Sequence, residues 1–261
     1  MSLKIGITER GDAGIDLSWR EKLSTVNGTI LITKKITEEF STALLEEHAK
    51  GTPLILHATC TGWGGSWLEP RVPSPEEQLS AVKSLIDNGF PLERIVLRID
   101  PIVPTTEGLN RFKSVLKSAN DRGLDVKTMR KRISILDEYP HVKERLQAIG
   151  KEAFYGDYFY AAPWLMKKTA QTIDEIVKDW GPEAKPFESC AEPKLAELTK
   201  NLKACGCVSE EDIRILGLDV NDLPETINGQ QRHGCLCCTA KKELLTNKRR
   251  CPNGCLYCYW K

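Results

Sequence analysis

Apolar and polar residues follow two alternating spacings through the first 189 positions of this 261-residue chain. Short runs of apolar and β-branched residues, typical of buried strands, occur at residues 4–8, 29–33, 53–58, 94–99, 132–136 and 186–190. Segments with helical spacing occur between or after them, at residues 18–23, 36–50, 76–88, 109–122, 141–149 and 164–180. This alternation predicts a parallel sheet with crossover helices. We therefore expect an α/β fold, specifically a partial (β/α) barrel.

The pattern changes after residue 189, where cysteine, glycine and short polar segments replace the strand pattern. Nine of the ten cysteines lie in this part, and one short helix is predicted in it at residues 210–216. Its apolar residues are too few for a core of its own. We expect a partial barrel at residues 1–189 and a cysteine-rich extension at residues 190–261 that folds back over the barrel mouth within the same domain.

The composition is that of an ordinary globular protein, with 41% hydrophobic and 28% charged residues. No apolar run approaches the roughly 18 residues of a membrane span. A strand pattern begins directly after the N-terminus, which leaves no room for a signal peptide. We therefore expect a cytoplasmic protein with no membrane partner. The net charge of +1 provides no general attraction to nucleic acid.

The most informative motif is C-x3-C-x2-C, formed by Cys251, Cys255 and Cys258. Three thiolates at this spacing fit three corners of a four-iron four-sulfur cluster and leave the fourth iron open to a small molecule. The alternative is half of a zinc site, because C-x2-C pairs commonly bind zinc. The three-residue spacer, the aromatic Tyr257 and the lack of a fourth ligand nearby in the sequence favour the cluster.

With its aromatic residue before the third cysteine, this motif resembles the signature of the radical S-adenosylmethionine superfamily. The chain resembles in particular a group that carries the motif at the C-terminus and is similar in appearance to spore photoproduct lyase. Four further stretches carry this resemblance: residues 62–70, 98–102, 133–137 and 231–237. It implies that the three cysteines bind the cluster, that Tyr257 lies against the adenine, and that a donor such as flavodoxin or ferredoxin supplies the electron. The reduced cluster would then split S-adenosylmethionine, and the resulting 5'-deoxyadenosyl radical would abstract a hydrogen atom from an unknown substrate.

The glycine pair Gly64 and Gly65 follows the third predicted strand. By resemblance, this pair would receive the amino group of S-adenosylmethionine. The expected acidic residue does not follow the pair directly, and Glu69 is a displaced stand-in. The alternative is an ordinary glycine-rich turn.

Arg98 and Asp100 alternate with apolar residues, so they should face the same side of the fourth strand. If that side is the barrel lumen, Arg98 would hold the carboxylate of S-adenosylmethionine, while Asp100 would orient Arg98 or bind the ribose. Ser134 on the fifth strand is a further candidate for a ribose or carboxylate contact. The alternative is an internal salt bridge without a ligand.

The other cysteines suggest two further roles. Cys60 lies at the end of the third strand, where its thiol would return a hydrogen atom to a substrate radical or would simply be a small buried hydrophobe. A set of four thiols is expected to bind a second iron–sulfur cluster or zinc, with thiol packing as the alternative. Its members are Cys190, Cys207, Cys235 and Cys237.

Together these residues predict a radical S-adenosylmethionine enzyme that acts on an unknown substrate. One alternative is a zinc-binding metalloprotein that is non-catalytic or associated with DNA. Another is a nucleic-acid repair or modification enzyme with the same radical chemistry. In either nucleic-acid interpretation, basic residues at positions 127, 130–132 and 248–250 would contact phosphates.

Overall fold

The computed structural model describes residues 3–224, 236, 240–245 and 251–260. Its eight strands form one curled, open sheet in the order β7-β6-β5-β4-β3-β2-β1-β8. Every neighbouring pair is parallel. The strands are β1 (Ile5–Ile7), β2 (Gly28–Thr33), β3 (Leu54–Thr59), β4 (Ile95–Ile102), β5 (Arg130–Ile135), β6 (Phe187–Cys190), β7 (Leu202–Cys205) and β8 (Lys241–Glu243). The predicted partial α/β barrel is confirmed at this level.

The helices begin where the sequence provides caps. Thr37 accepts a hydrogen bond from the Phe40 amide at 3.1 Å, and Ser74 and Glu77 form a reciprocal capping box. The α-helices are α1 (Glu38–Ala49), α2 (Pro75–Asp87), α3 (Thr106–Asp121), α4 (Pro140–Ala148), α5 (Pro163–Trp180), α6 (Pro193–Ala196) and α7 (Glu210–Ile215). Over the described ranges, none of these helices combines the length and apolar composition of a membrane span.

The two faces of the sheet are covered by different parts of the chain. Leu54 and Leu56 of β3 belong to the main core, together with side chains of α1, α2, α3 and α5. Ile55 lies between them in the sequence and packs in a second cluster with Ile213 of α7 and the adjoining Leu216. The short helix α7 therefore fills one face of the curled sheet, while α1, α2, α3 and α5 cover the other.

Residues after position 190 contribute more to the sheet than the sequence predicts. The strand β7 pairs with β6 at one edge, and β8 pairs with β1 at the other. The expectation that strands end at residue 190 is therefore wrong. The physical reason is that β7 and β8 have only four and three residues, and β8 reads Lys-Lys-Glu, so neither has a hydrophobic period.

Four charged side chains, three of them buried and one partly buried, connect β5, β6 and α7. Arg130 and Arg132 each pair with Glu188 and with Asp212, at nitrogen–oxygen distances of 2.6–3.2 Å. The prediction that Arg130, Lys131 and Arg132 contact phosphates is therefore wrong, because all three side chains are buried. The Lys131 ammonium donates to the carbonyls of residues 126, 127 and 129.

Burial alone would raise the pKa of Asp212, but Arg132 and Arg130 outweigh it and hold the pKa well below its usual range. Because the pKa is lowered on folding, the carboxylate stabilises the protein above about pH 4. This stabilisation is lost as acidification protonates Asp212.

Replacing Asp212 with asparagine should lower the free energy of unfolding by about 3–5 kcal/mol, because two buried guanidinium groups lose a charged partner. Urea unfolding at pH 7 measures this change. The control is Glu210→Gln on the same helix, which removes an exposed pair with Arg214 and should change stability little. Equal stability of the two variants would contradict the role of this network.

Candidate functional site

A cavity of about 620 Å³ lies at the carboxyl ends of the central strands. Its wall includes residues at or just after the ends of five strands, namely Thr8, Thr33, Thr59, Asp100 and Ser134. Binding sites of parallel α/β folds are found at this end of the sheet. The volume falls within the range of about 300–1,000 Å³ that is common for small-molecule sites.

The final loop, residues 251–260, forms another part of the cavity wall. Cys251, Cys255 and Cys258 all line the cavity, and their binding of a cluster stays a prediction. The Leu256 amide donates to the Leu68 carbonyl at 3.0 Å and ties the loop to the segment after β3. Burial raises the pKa of the Cys255 thiol to about 12, although Lys34 opposes this shift.

Gly254 gives the loop its sharp bend. Its φ of +64° is in the left-handed region that favours glycine. A Cβ at this position would lie 3.0 Å from the guanidinium of Arg71. The glycine between the first two cysteines of the motif is therefore favoured by the backbone conformation of the loop.

A buried carboxylate after β1 holds the first half of the loop. The side-chain amide of Asn253 donates to Asp12 at 2.6 Å. Asp12 also accepts from the backbone amides of Gly14 and Lys34 and from the Thr33 hydroxyl. Both Asp12 and Asn253 are buried. Burial raises the pKa of Asp12, and these donors oppose the shift. Asp12 therefore fixes the position of the turn between Cys251 and Cys255.

A second buried carboxylate, Glu69, holds the other half of the loop. The hydroxyl of Tyr257 donates to Glu69, and Lys34 donates to Glu69 at 2.8 Å and to the Tyr257 oxygen at 2.6 Å. Thr61 donates to the remaining carboxylate oxygen at 2.6 Å. Burial, together with the negative charge of Glu69, raises the pKa of Tyr257 well above its usual range. Tyr257 is therefore a neutral anchor that also lines the cavity.

Sequence reasoning missed Asp12 and Lys34 and considered Glu69 only as a stand-in for another residue. The available signal was an Asp and a Lys placed next to strand ends, Asp12 five residues after β1 and Lys34 directly after β2. Polar residues at such positions are candidates for a site in any parallel sheet.

The structure brings Arg98, Asp100 and Ser134 together in the cavity wall, as the strand alternation predicts. Arg98 forms an ion pair with Asp100, and the Ser134 hydroxyl donates to the same carboxylate. Burial would lower the pKa of Arg98, but Asp100 outweighs it and the pKa is raised. The guanidinium is therefore charged, and its contact with S-adenosylmethionine stays a prediction.

Gly64 and Gly65 are not among the residues that line the cavity, and their contact with the S-adenosylmethionine amino group stays a prediction. A Cβ at Gly64 would meet the Pro73 carbonyl oxygen at 1.8 Å, and the Gly65 amide donates to the carbonyls of Glu69 and Val72. The pair therefore forms a tight turn that carries Glu69 to the final loop.

Cys60 also lies outside the cavity wall. Its thiol packs in the main hydrophobic core, and burial raises its pKa to about 12. Cys60, the predicted hydrogen-atom donor, is thus in the position expected for the alternative, a small buried hydrophobic residue.

Two of the four thiols predicted for a second metal centre meet in the structure. The sulfurs of Cys190 and Cys207 are 3.3 Å apart, whereas Cys235 and Cys237 lie outside the described residues, as do the basic residues 248–250. Among the residues that the structure describes, no three His, Cys, Asp or Glu side chains converge to hold a metal ion, and this also applies to Cys251, Cys255 and Cys258. The second centre stays a prediction.

The model of the family described as "Domain of unknown function (DUF1848)" matches residues 17–260. The chain belongs to the DUF1848 family. This finding corrects the expected membership in the radical S-adenosylmethionine superfamily, because DUF1848 is a distinct family. The spacing of three cysteines next to an aromatic residue is a short motif, and such a motif alone does not define a family. No curated protein matches the chain.

Replacing Asp12 with alanine in this DUF1848 protein should loosen the final loop, because Asn253 loses its buried acceptor. We expect amide hydrogen exchange across residues 251–260 to become about 10- to 100-fold faster, corresponding to about 1–3 kcal/mol. The control is Asp87→Ala, which removes a surface pair on α2 and should leave this exchange unchanged. Unchanged exchange in a folded Asp12→Ala variant would show that Asp12 does not anchor the loop.

Proposed function

We propose that the chain binds a four-iron four-sulfur cluster through Cys251, Cys255 and Cys258 and uses it to cleave S-adenosylmethionine reductively. The observation that carries the proposal is that all three thiols line one cavity together with the Arg98–Asp100 pair. The proposal rests on this site and does not depend on a family relationship. The substrate is an unknown molecule that shares the cavity.

The residues of the loop fit the proposed cluster. Three thiolates are the ligand type that iron–sulfur clusters use, and each would bind a different iron. Lys34 adjoins the site, and its positive charge opposes the burial that raises the pKa of Cys255. Asp12 and Glu69 accept hydrogen bonds from Asn253 and Tyr257 of the loop. The proposed ligands therefore belong to a segment whose position is fixed by these contacts.

The cavity wall offers complementary groups for S-adenosylmethionine. The amino-acid part of S-adenosylmethionine carries an ammonium, opposite in charge to Asp100, and a carboxylate, opposite in charge to Arg98. Ser134 can hydrogen-bond to a carboxylate or a ribose hydroxyl, and the ring of Tyr257 presents an aromatic surface to the cavity. When bound, the cluster would supply the electron that breaks a carbon–sulfur bond of S-adenosylmethionine.

Aromatic side chains of the wall would limit the access of water to this reaction. Tyr139, Tyr259 and Trp260 line the cavity, and their rings form successive contacts with centroid distances of 6.5 and 4.7 Å. Arg145 donates to the carbonyls of Cys258 and Trp260 at 2.6 and 2.7 Å. These contacts fix the end of the final loop across one side of the cavity.

Full-length protein reconstituted without oxygen should contain about four iron atoms per chain and show iron–sulfur absorbance. The Cys251→Ala, Cys255→Ala and Cys258→Ala variants should lose this iron, because each removes a ligand. Cys60→Ala is the matched control and should retain it, since this thiol lies in the core. Zinc without iron in the wild type, or full iron in all three ligand variants, would refute the proposed cluster.

Replacing Arg98 with alanine should weaken the binding of S-adenosylmethionine to the reconstituted protein by about 10- to 100-fold, because a charged hydrogen-bond donor is lost. Isothermal titration calorimetry measures the dissociation constant, and release of 5'-deoxyadenosine on reduction measures cleavage. Arg20→Ala removes an arginine whose partners, Glu46 and Glu47, lie outside the cavity, and it should behave as wild type. Equal affinity of the Arg98→Ala variant and the wild type would reject the role of Arg98.

A further inference from the structure

The cavity contains a pair of thiols that the proposed function does not use. Cys190 is the last residue of β6, and Cys207 lies two residues beyond β7, which pairs with β6 in parallel. Their sulfurs are 3.3 Å apart, and both residues line the cavity. The neighbouring Cys205 is the register partner of Cys190 but does not line the cavity. The fold therefore selects Cys190 and Cys207 as a contacting pair that a small molecule in the cavity can reach.

A recess of about 10 Å³, large enough for roughly one water molecule, adjoins the pair. His57, Arg98 and Arg132 line this recess together with both cysteines. The His57 Nε2 atom is buried and has no hydrogen-bond partner among the described residues. Arg98 and Arg132 are cationic neighbours of the kind found beside reactive cysteines. His57 is not one of them, because burial holds its pKa well below its usual range. The recess also contains Glu9, Ile7 and Ile32.

We propose that Cys190 and Cys207 are a redox-active pair that forms a reversible disulfide by exchange with low-molecular-weight disulfides. A disulfide requires a sulfur–sulfur distance of about 2.0 Å, so the observed pair needs only a small approach. This inference is independent of the cluster proposed for the final loop.

Cys190 and Cys207 differ in exposure, and this difference determines which of the two sulfurs attacks first. Cys207 is partly exposed, so its sulfur attacks the incoming disulfide first, and one small thiol leaves. The more buried Cys190 then attacks the Cys207 sulfur, breaks the mixed disulfide and releases the second small thiol. The two thiol protons pass to the two leaving groups. The protein pair is thus oxidised by two electrons, and the small disulfide is reduced by two.

The test exposes the full-length protein to buffers with different ratios of oxidised to reduced glutathione, followed by alkylation and peptide mass spectrometry. We expect a Cys190–Cys207 linked peptide that increases with the oxidised fraction and disappears on reduction. Cys190→Ser and Cys207→Ser should abolish it, while the matched control Cys205→Ser should retain it. The triple Cys251→Ala, Cys255→Ala, Cys258→Ala variant should also retain it, which separates this pair from the proposed cluster.

The proposal fails if the linked peptide is absent at every ratio in wild type whose folding is verified by circular dichroism. It also fails if the wild type holds a stoichiometric metal ion that is lost in both Cys190→Ser and Cys207→Ser, since the thiols would then be metal ligands. A disulfide between Cys207 and a third cysteine that forms equally well in the Cys190→Ser variant would assign the exchange to other cysteines.

Discussion

The arrangement of the site depends on two buried carboxylates that accept hydrogen bonds from the final loop. Asp12 lies after β1 and Glu69 lies between β3 and α2, so both anchors come from the first part of the chain. A carboxylate without partners at such depth would cost several kcal/mol. The loop conformation that turns Asn253 and Tyr257 inwards satisfies both groups. The same conformation places the three cysteines of the loop at the cavity.

The short helix α7 and its ion pairs occupy one face of the curled sheet. Apolar residues of α7 cover one face of the sheet, and Asp212 of the same helix binds Arg130 and Arg132 of β5. The ends of the strands beyond α7 carry polar side chains such as Asp100 and Ser134. The interior of the curled sheet is thus filled by side chains where α7 packs, and it is open to a ligand at the strand ends. This helix of six residues therefore contributes to the stability of the fold and fills part of the interior of the curled sheet.

The first 190 residues have strong periodic patterns, so their strands and helices could be predicted from the sequence. β7 and β8 could not, because short polar strands are defined by their neighbours in the sheet rather than by their own pattern. The shared orientation of Arg98 and Asp100 was predictable, because the alternation of side chains along one strand is a local property of the sequence. The contacts of Asp12 and Glu69 with the final loop join positions 241 and 188 residues apart, and no local pattern contains them. The family assignment, which rested on the cysteine motif and four further short stretches, was wrong for a related reason, since short stretches say little about the rest of the chain.

The sequence separation between Asp12 and Asn253 has a consequence for the order of folding. Contacts between such distant positions form late, because closing so large a loop is entropically costly until other structure has brought its ends together. Here the parallel sheet performs that task by placing β1 beside the other strands that surround the cavity. A ligand of the final loop would therefore join a scaffold that is already folded. This order is the opposite of that in zinc fingers, where metal binding itself drives the chain to fold.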